Sequence, residues 1–361
     1  MKIKCRKSQV INIGSVRIGG NNPIAVQSMA KTFTSDVSAT AREIKELELA
    51  GCQIVRVAVK NSQDAKALKK IKQRIAIPLV ADIHFDKNLA IQAIESGVDK
   101  IRLNPGNIYK KSEVRDIARA AKQAGIPIRV GVNSGSVSRY PLSAKHRPKD
   151  LIRLMVASAL DYIKMLEGIG FYDIVVSLKG SDVFTTTEAN ERIAKSCSYP
   201  LHLGITATGP SLIGIIKSAM VIGKLLSEGI GDTIRISLTD RAVQEVKTAF
   251  YILQALGLGS PAPEIISCPT CGRCEIDLIK IVEDLEKKLS TVNGKLLTRP
   301  MKLAIMGCVV NGPGEARQAD LGVAFGKKQG LLFRKGKPER KISSAECVDV
   351  LLNELKVMNH K

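Results

Sequence analysis

Three cysteines and one glutamate carry the plainest chemistry in this chain. Cys268 and Cys271 lie in the turn CPTCGRC (268–274), Cys308 stands further on, and Asn311-Gly312-Pro313-Gly314-Glu315 follows it. A tight turn lets two or three thiolates face one centre, and thiolates at this spacing hold iron–sulfur clusters or zinc. A zinc ribbon would want a second close Cys or His pair, but Cys308 is single and no histidine stands near it in the chain, so iron and sulfur are the better reading. Cys274 leaves two ligand sets open. With Cys274, four thiolates would close the cluster and suit it to outer-sphere electron transfer. With Glu315 instead, one iron would carry a harder, more readily displaced oxygen ligand and could bind substrate. Glu315 also has a plain structural role available, as an acid complementing the dipole of a helix begun by Pro313.

The polar residues of the first two thirds gain meaning only from the elements that must position them. Short runs rich in Val and Ile alternate with helix-period stretches. Strands are expected over 24–29, 54–59, 78–84, 100–105, 127–133, 173–179, 200–206 and 233–238. Helices lie between them, as over 40–51, where Ile44 and Leu47 form the apolar stripe and Gly51 closes the end. Eight strand–helix units in about 230 residues make a (β/α)8 TIM barrel. A doubly wound sheet is the alternative, but no GxGxxG follows the first strand to support it.

Active sites of such barrels lie at the C-terminal ends of the strands. Polar residues interrupt the apolar strands there: Gln27 and Ser28, Arg56, Asp82 and His84, Arg102 and Asn104, Arg129 and Asn133, Ser177 and Lys179, His202 and Thr206, Arg235 and Ser237. Any one of them could be a salt bridge or a barrel-layer residue. Arg56, Arg102, Arg129 and Lys179 converging on one mouth would be costly without an anion, and Asp82 is the main carboxylate on those strands. A phosphate-bearing ligand supplies the missing negative charge, and guanidinium forks suit its oxygens.

At 361 residues, two domains are expected. GLGSPAPEIIS (257–267) has the composition of a linker, which sets a barrel domain at 1–258 and a small α+β domain at 262–361. In the latter, helices are expected over 275–289 and 343–357 and an apolar strand over 302–307. No segment is long and apolar enough to span a membrane, and the basic N-terminus lacks the apolar core of a signal peptide, so a reducing cytoplasmic setting is expected. Cys5, Cys52, Cys197 and Cys347 then read as buried small hydrophobes. The net charge of +21 fits an anionic partner, but Trp is absent and aromatics are 4%, so the stacking platforms of a nucleic-acid binder are missing.

Taken together, AVQSM, AGCQIVRVAV, PLVADIHF, DKIRLNPGNI, IRVGVNSGS, VVSLKGSDVF, PLHLGIT, CPTCGR and GCVVNGPGE resemble the 4-hydroxy-3-methylbut-2-enyl diphosphate synthases, nearly end to end. The resemblance implies a two-electron reductive ring opening of 2-C-methyl-D-erythritol 2,4-cyclodiphosphate, with loss of water, in isoprenoid precursor synthesis. It implies a [4Fe–4S] cluster on Cys268, Cys271, Cys308 and Glu315, with Glu315 yielding its iron to substrate and Asn311 close by. Its anion-binding positions fall on Arg56, Arg102, Arg129 and Lys179, and His84 with Asp82 becomes the candidate for proton handling, a role imidazole suits near neutral pH. Asn104, Asn133, Ser177, His202 and Ser237 complete the expected substrate set. Two departures stand out. HLGITATG places Ala207 where the family pattern has a glutamate, and Cys274 is a thiolate that the pattern does not require.

The resemblance also implies ferredoxin or flavodoxin as electron donor, and the basic charge fits either acidic partner. The eighth helix of a barrel runs back from the mouth, so a cluster domain attached behind it is expected to serve the mouth of a second copy, in an antiparallel homodimer with shared active sites. The rivals are a zinc-bearing barrel hydrolase or synthase and a cluster-stabilised RNA binder. A radical-SAM barrel would carry its cysteines after the first strand, where there are none.

Overall fold

The computed structural model describes residues 3–137, 148–259, 262–291, 301–327 and 329–359, divided into two compact units, Met1–Leu258 and Gly259–Lys361. In the first unit a short hairpin, β1 (Ile11–Ile13) and β2 (Val16–Ile18), precedes eight parallel strands. These are β3 (Ala25–Met29), β4 (Ile54–Val59), β5 (Leu79–Ile83), β6 (Lys100–Leu103), β7 (Ile128–Asn133), β8 (Ile174–Lys179), β9 (His202–Leu203) and β10 (Thr233–Ile234). Their order is β8-β7-β6-β5-β4-β3-β10-β9, and a parallel bridge from Val176 to Leu201 closes the ring. This is the expected TIM barrel.

Each strand returns through a helix: α1 (Val37–Leu49), α2 (Ser62–Lys72), α3 (Lys87–Glu95), α4 (Lys111–Ala124), α5 (Pro148–Glu167), α6 (Val183–Ser196), α7 (Ser211–Ser227) and α8 (Ala242–Ala255). Asp36, Asn61, Asp86 and Asp182 start α1, α2, α3 and α6 by accepting from backbone N–H groups of the first turn. Gly125 ends α4 at φ 66°, a left-handed turn that costs glycine little. Ile11, Ile13 and Ile18 of the hairpin pack on Ala25, Ile54, Val80 and Val175 near the strand N-termini, which plugs the barrel opposite its mouth. The sequence reading missed this hairpin.

The last two strands are shorter than expected. After Leu203 the chain passes so close to Lys179 and the Arg235 carbonyl that only Gly204 fits. After Ile234 the Leu238 N–H goes to the Glu245 carboxylate instead of a strand neighbour. Of the scattered cysteines, Cys52 and Cys347 are buried as expected, whereas Cys5 is exposed on the N-terminal segment and Cys197 is half-buried at the end of α6.

The second unit has a five-stranded sheet in the order β11 (Glu264–Ser267), β12 (Lys302–Met306), β13 (Leu321–Phe325), β14 (Gln329–Arg334) and β15 (Lys337–Ser343). The first three are parallel and the last two antiparallel. Alternation decides the layers: Leu303, Ile305, Leu321, Val323 and Phe325 face α9 (Leu278–Thr291) and α11 (Cys347–Asn359), while Ala304, Met306 and Ala324 face α10 (Gly312–Gln318). The segment read as a linker over 257–267 is therefore only partly one, since its end is strand β11; residues 260–261 lie outside the described residues. The terminal helix starts at Cys347 because Ser343 still belongs to β15. Among the described residues no helix is long and apolar enough to cross a membrane.

Candidate active site

Asp82, 4% exposed on β5, organises one side of the barrel interior. Arg102 Nη1 donates to its Oδ1 at 3.2 Å, Arg56 Nη1 lies 3.6 Å from Oδ2, and His84 Nε2 lies 3.7 Å from Oδ1. Burial by itself would raise the Asp82 carboxyl, but Arg56, the His84 hydrogen bond, Arg102 and Arg129 outweigh it and hold the group far below the usual carboxylate range. Arg102 also donates to the Gly131 carbonyl at 3.1 Å, and a Cβ on Gly131 would lie 2.6 Å from Arg102 Nε. Glycine at 131 thus lets the guanidinium lie across β7. Two Arg56 nitrogens meet the Met29 thioether, at 3.2 and 2.9 Å. A thioether is a weak acceptor, which leaves those donors available for an anion.

His84 contacts Arg102 Nη1 at 3.3 Å through Nε2 and Asn107 Nδ2 at 2.9 Å through Nδ1. A guanidinium can only donate, so a neutral His84 accepts at Nε2 and carries its proton on Nδ1, with the Asn107 amide turned to present oxygen. A doubly protonated ring would instead direct Nε2–H toward Asp82.

The opposite side is built on Lys179 of β8. Its Nζ meets His202 Nε2 at 3.3 Å, and His202 Nδ1 meets Thr233 Oγ1 at 2.7 Å. Burial, then the Lys179 and Arg129 cations, press His202 well below its ordinary value, so it is the neutral imidazole. With Lys179 donating to Nε2, the ring proton lies on Nδ1 and is given to Thr233. Both His202 and Arg129 begin or nearly begin their strands and are fully or almost fully buried, so they lie deeper than the mouth position read from sequence.

Arg129 is 1% exposed, and among the described residues its Nε and Nη1 have no hydrogen-bond partner. Burial, then Arg56 and Arg102, press its guanidinium well below its ordinary value. Guanidinium does not release its proton in a protein, so the shift registers uncompensated charge. Arg235, partly buried, is lowered to about 10 by burial and by Arg56. Its Nη2 lies 3.6 Å from Glu245, which also pairs with Lys31 at 3.1 Å. Sequence reading missed Glu245 and Lys100. The signal for Glu245 was an acid at a core-facing position of α8, between Ala242 and Ala249.

Asn104 and Asn133 are joined through Ser136, whose Oγ accepts from Asn104 Nδ2 at 2.9 Å and donates to the Asn133 carbonyl at 3.1 Å. Ser177 is buried on the same inward face of β8 as Lys179. Ser237 is half-buried, and its carbonyl accepts from Thr208 Oγ1. Ala207 sits at φ 50°, a strained backbone for a residue with a Cβ, and brings no titratable group.

In the second unit, Cys268 follows β11 and Cys308 follows β12, neighbouring parallel strands, so both lie at one edge of the sheet. Glu315 is in the first turn of α10, which Pro313 helps to begin. The Gly307 N–H points at Cys268 Sγ, 3.4 Å away, and the exposed Cys271 thiol is lowered by the Arg273 backbone N–H and side chain. Cys274 differs: its Sγ donates to the Ile276 carbonyl at 3.3 Å and packs so closely on Gly307 that no Cβ would fit there. No group of three or more His, Cys, Asp or Glu side chains is gathered at metal-binding distance among the described residues. The chemistry of the donor set still fits an iron–sulfur group, since Cys268 and Cys308 follow neighbouring parallel strands, the Cys268 thiol already receives an N–H and the Cys271 thiol is shifted toward thiolate.

Residues 8–250 match the GcpE TIM-barrel domain and residues 264–357 the GcpE protein C-terminal domain. The 4-hydroxy-3-methylbut-2-en-1-yl diphosphate synthase (flavodoxin) of Bacillus cytotoxicus is 52% identical over 98% of this chain and 94% of its own length. The enzyme of the same description from Bacillus mycoides is 51% identical over the same shares. The dihydropteroate synthase of Anaplasma phagocytophilum, a solved structure, is 15% identical with a TM-score of 0.49, covering 65% of this chain and 100% of its own.

Proposed function

The chain belongs to the GcpE family of 4-hydroxy-3-methylbut-2-en-1-yl diphosphate synthases, and from that premise we propose that its barrel mouth holds the cyclic diphosphate while Cys268, Cys271, Cys308 and Glu315 hold a [4Fe–4S] cluster. The reaction is the reductive ring opening of 2-C-methyl-D-erythritol 2,4-cyclodiphosphate in isoprenoid precursor synthesis. Two electrons and one proton enter, the ring C–O bond at carbon 2 breaks, the neighbouring hydroxyl leaves as water, and a double bond forms. A dianion becomes a trianion, so the site must hold more negative charge at the end than at the start.

The observation that carries this reading is the excess of buried cations. Among the described residues, Arg56, Arg102, Arg129 and Lys179 are faced by one carboxylate, Asp82, and Arg129 Nε and Nη1 have no hydrogen-bond partner. These four bind the phosphates. Asn104, Asn133, Ser177 and Ser237 supply neutral hydrogen bonds, and His202 orients Lys179 from below. His84, whose Nε2 side is oriented by Asp82 and Arg102, is the proton carrier for the departing hydroxyl, a task for which Ala207 has no group. When bound, the cluster supplies the electrons, and Asn311 lies next to its ligand loop. Cys274 stays outside the ligand set, since its thiol is committed to the Ile276 carbonyl.

Flavodoxin is the electron donor in this reading, with ferredoxin the alternative; the relatives' description and the net charge of +21 support an acidic partner. The setting is the cytoplasm. The active form is an antiparallel homodimer that shares its sites between copies, because chemistry needs a cluster at each mouth and the chain leaves its barrel behind α8. Anaerobic purification followed by reduction of the cyclodiphosphate with reduced flavodoxin tests the whole reading. A colourless, zinc-containing protein without turnover would overturn it.

A further inference from the structure

Lys100 opens β6, two residues before Arg102 and on the same inward face, and none of it reaches solvent. Among the described residues its one hydrogen bond is from Nζ to Gln27 Oε1 at 3.3 Å, a neutral acceptor, and the Gln27 amide nitrogen has no partner there. No carboxylate pairs with it in any ion pair among the described residues. The groups around it are basic: Arg129 and Arg56 face it most strongly, Arg102 stands two residues on along the same strand face, Lys179 lies two strands away on β8, and Arg235 follows β10 on the far side of the ring. Asp82 is already shared by Arg56, Arg102 and His84, the neutral His202 adds no charge, and Glu245 is taken by Lys31 and Arg235.

A buried charge without a partner is expensive. The guanidiniums in this interior cannot relieve the expense, because they do not deprotonate. A lysine can: burial followed by the Arg129 and Arg56 cations drives Lys100 that way, and burial followed by the Arg235 and Arg129 cations lowers Lys179 as well, so a Lys100 variant is what tells the two amines apart. A dianion entering the mouth reverses the local balance.

We infer that Lys100 is a further binding residue that works by gaining a proton: it rests as a neutral amine beside Gln27 and becomes an ammonium when the cyclodiphosphate enters. The proton comes from solvent and no bond of the substrate changes. This rests on the reading of the barrel mouth as the cyclodiphosphate site. It gives the site a cation whose burial cost falls away when the site is empty, held one inward step below Arg102. It also leaves a positive charge in place for the extra negative charge of the ring-opened product.

Calorimetry of cyclodiphosphate binding to the anaerobically purified holoenzyme, in buffers of different ionisation enthalpy at pH 7.5, reads the proton directly. Each phosphorus of a cyclic diphosphate bears one strongly acidic hydroxyl, so the ligand itself takes up nothing near neutral pH. Wild type should take up about one proton per ligand, the change expected of one lysine. Lys100→Met, which keeps the chain length and removes the amine, should lose that uptake and bind about tenfold more weakly. It should also melt above wild type, by a margin that shrinks as pH rises toward the ordinary lysine value, because shedding the proton then costs less. A purely structural lysine would not move the proton count. Buffer-independent heats in wild type, or equal uptake in Lys100→Met, overturn the inference with the site intact. If Arg56→Ala binds the cyclodiphosphate as wild type does, the reading of the site fails first, and this inference with it.

Discussion

Asp82→Asn should destabilise the barrel strongly while making it more responsive to its ligand. The wild-type carboxylate is 4% exposed and lies within 3.2–3.7 Å of Arg102, Arg56 and His84. Removing one partner of a buried ion pair typically costs about 3–5 kcal/mol, because the remaining charges stay buried without compensation. Here two guanidiniums lose it at once, beside an Arg129 that is already short of partners. In a barrel of this size about 1 kcal/mol shifts Tm by roughly 2–4 °C, so a fall on the order of 10 °C is expected. The dianionic cyclodiphosphate restores negative charge, so its stabilising shift should be larger in the variant than in wild type. The pH dependence follows from the depressed Asp82 carboxyl. Its contribution is fully present above the unfolded-state value near about 3.9 and is lost as pH falls below that, toward the folded-state value. Denaturant unfolding of both proteins with pH, with and without ligand, measures all of this. Equal stability at pH 7, or a gap that persists unchanged into acid, would refute the argument that Asp82 holds these cations together.

Arg56→Ala, Arg102→Ala and Lys179→Ala should each weaken cyclodiphosphate binding by about 1.5–3 kcal/mol, the range for a charge-assisted hydrogen bond, with iron content unchanged; unchanged affinity in all three removes the anion site. Cys268→Ser, Cys271→Ser and Cys308→Ser should each abolish cluster assembly, read as iron content and visible absorption after anaerobic purification. Cys274→Ser should keep the cluster, and loss of iron there would favour four thiolates over Glu315. Mixing inactive Arg102→Ala chains with inactive Cys308→Ser chains should restore turnover, since one composite site of a mixed dimer would be whole. Demonstrated subunit exchange with no recovered activity rules out shared sites.

Much of this protein is legible in one dimension because its signals are local. Barrel strands buried on both sides read as runs of Val and Ile, and the alternation with helices counts to eight wherever one looks along the chain. Arg56, Asp82, Arg102 and Lys179 are visible as charges inside such runs, and CPTCGRC needs no fold to suggest thiolate chemistry. The hairpin β1–β2 was not legible, because its short strands find their apolar partners only at Ala25, Ile54, Val80 and Val175, which the closed barrel gathers. Nor was the length of β9 and β10, which depends on Gly204 passing Lys179 and on Glu245 of α8 taking the Leu238 N–H. Which charges are compensated is likewise a property of the closed ring. Sequence lists arginines, lysines and carboxylates without saying which meet. Only the tertiary structure spends Asp82 on Arg56 and Arg102, gives Glu245 to Lys31 and Arg235, and leaves Arg129 and Lys100 without a carboxylate at ion-pair distance among the described residues, because electrostatic partners are set by distance through the barrel and not along the chain.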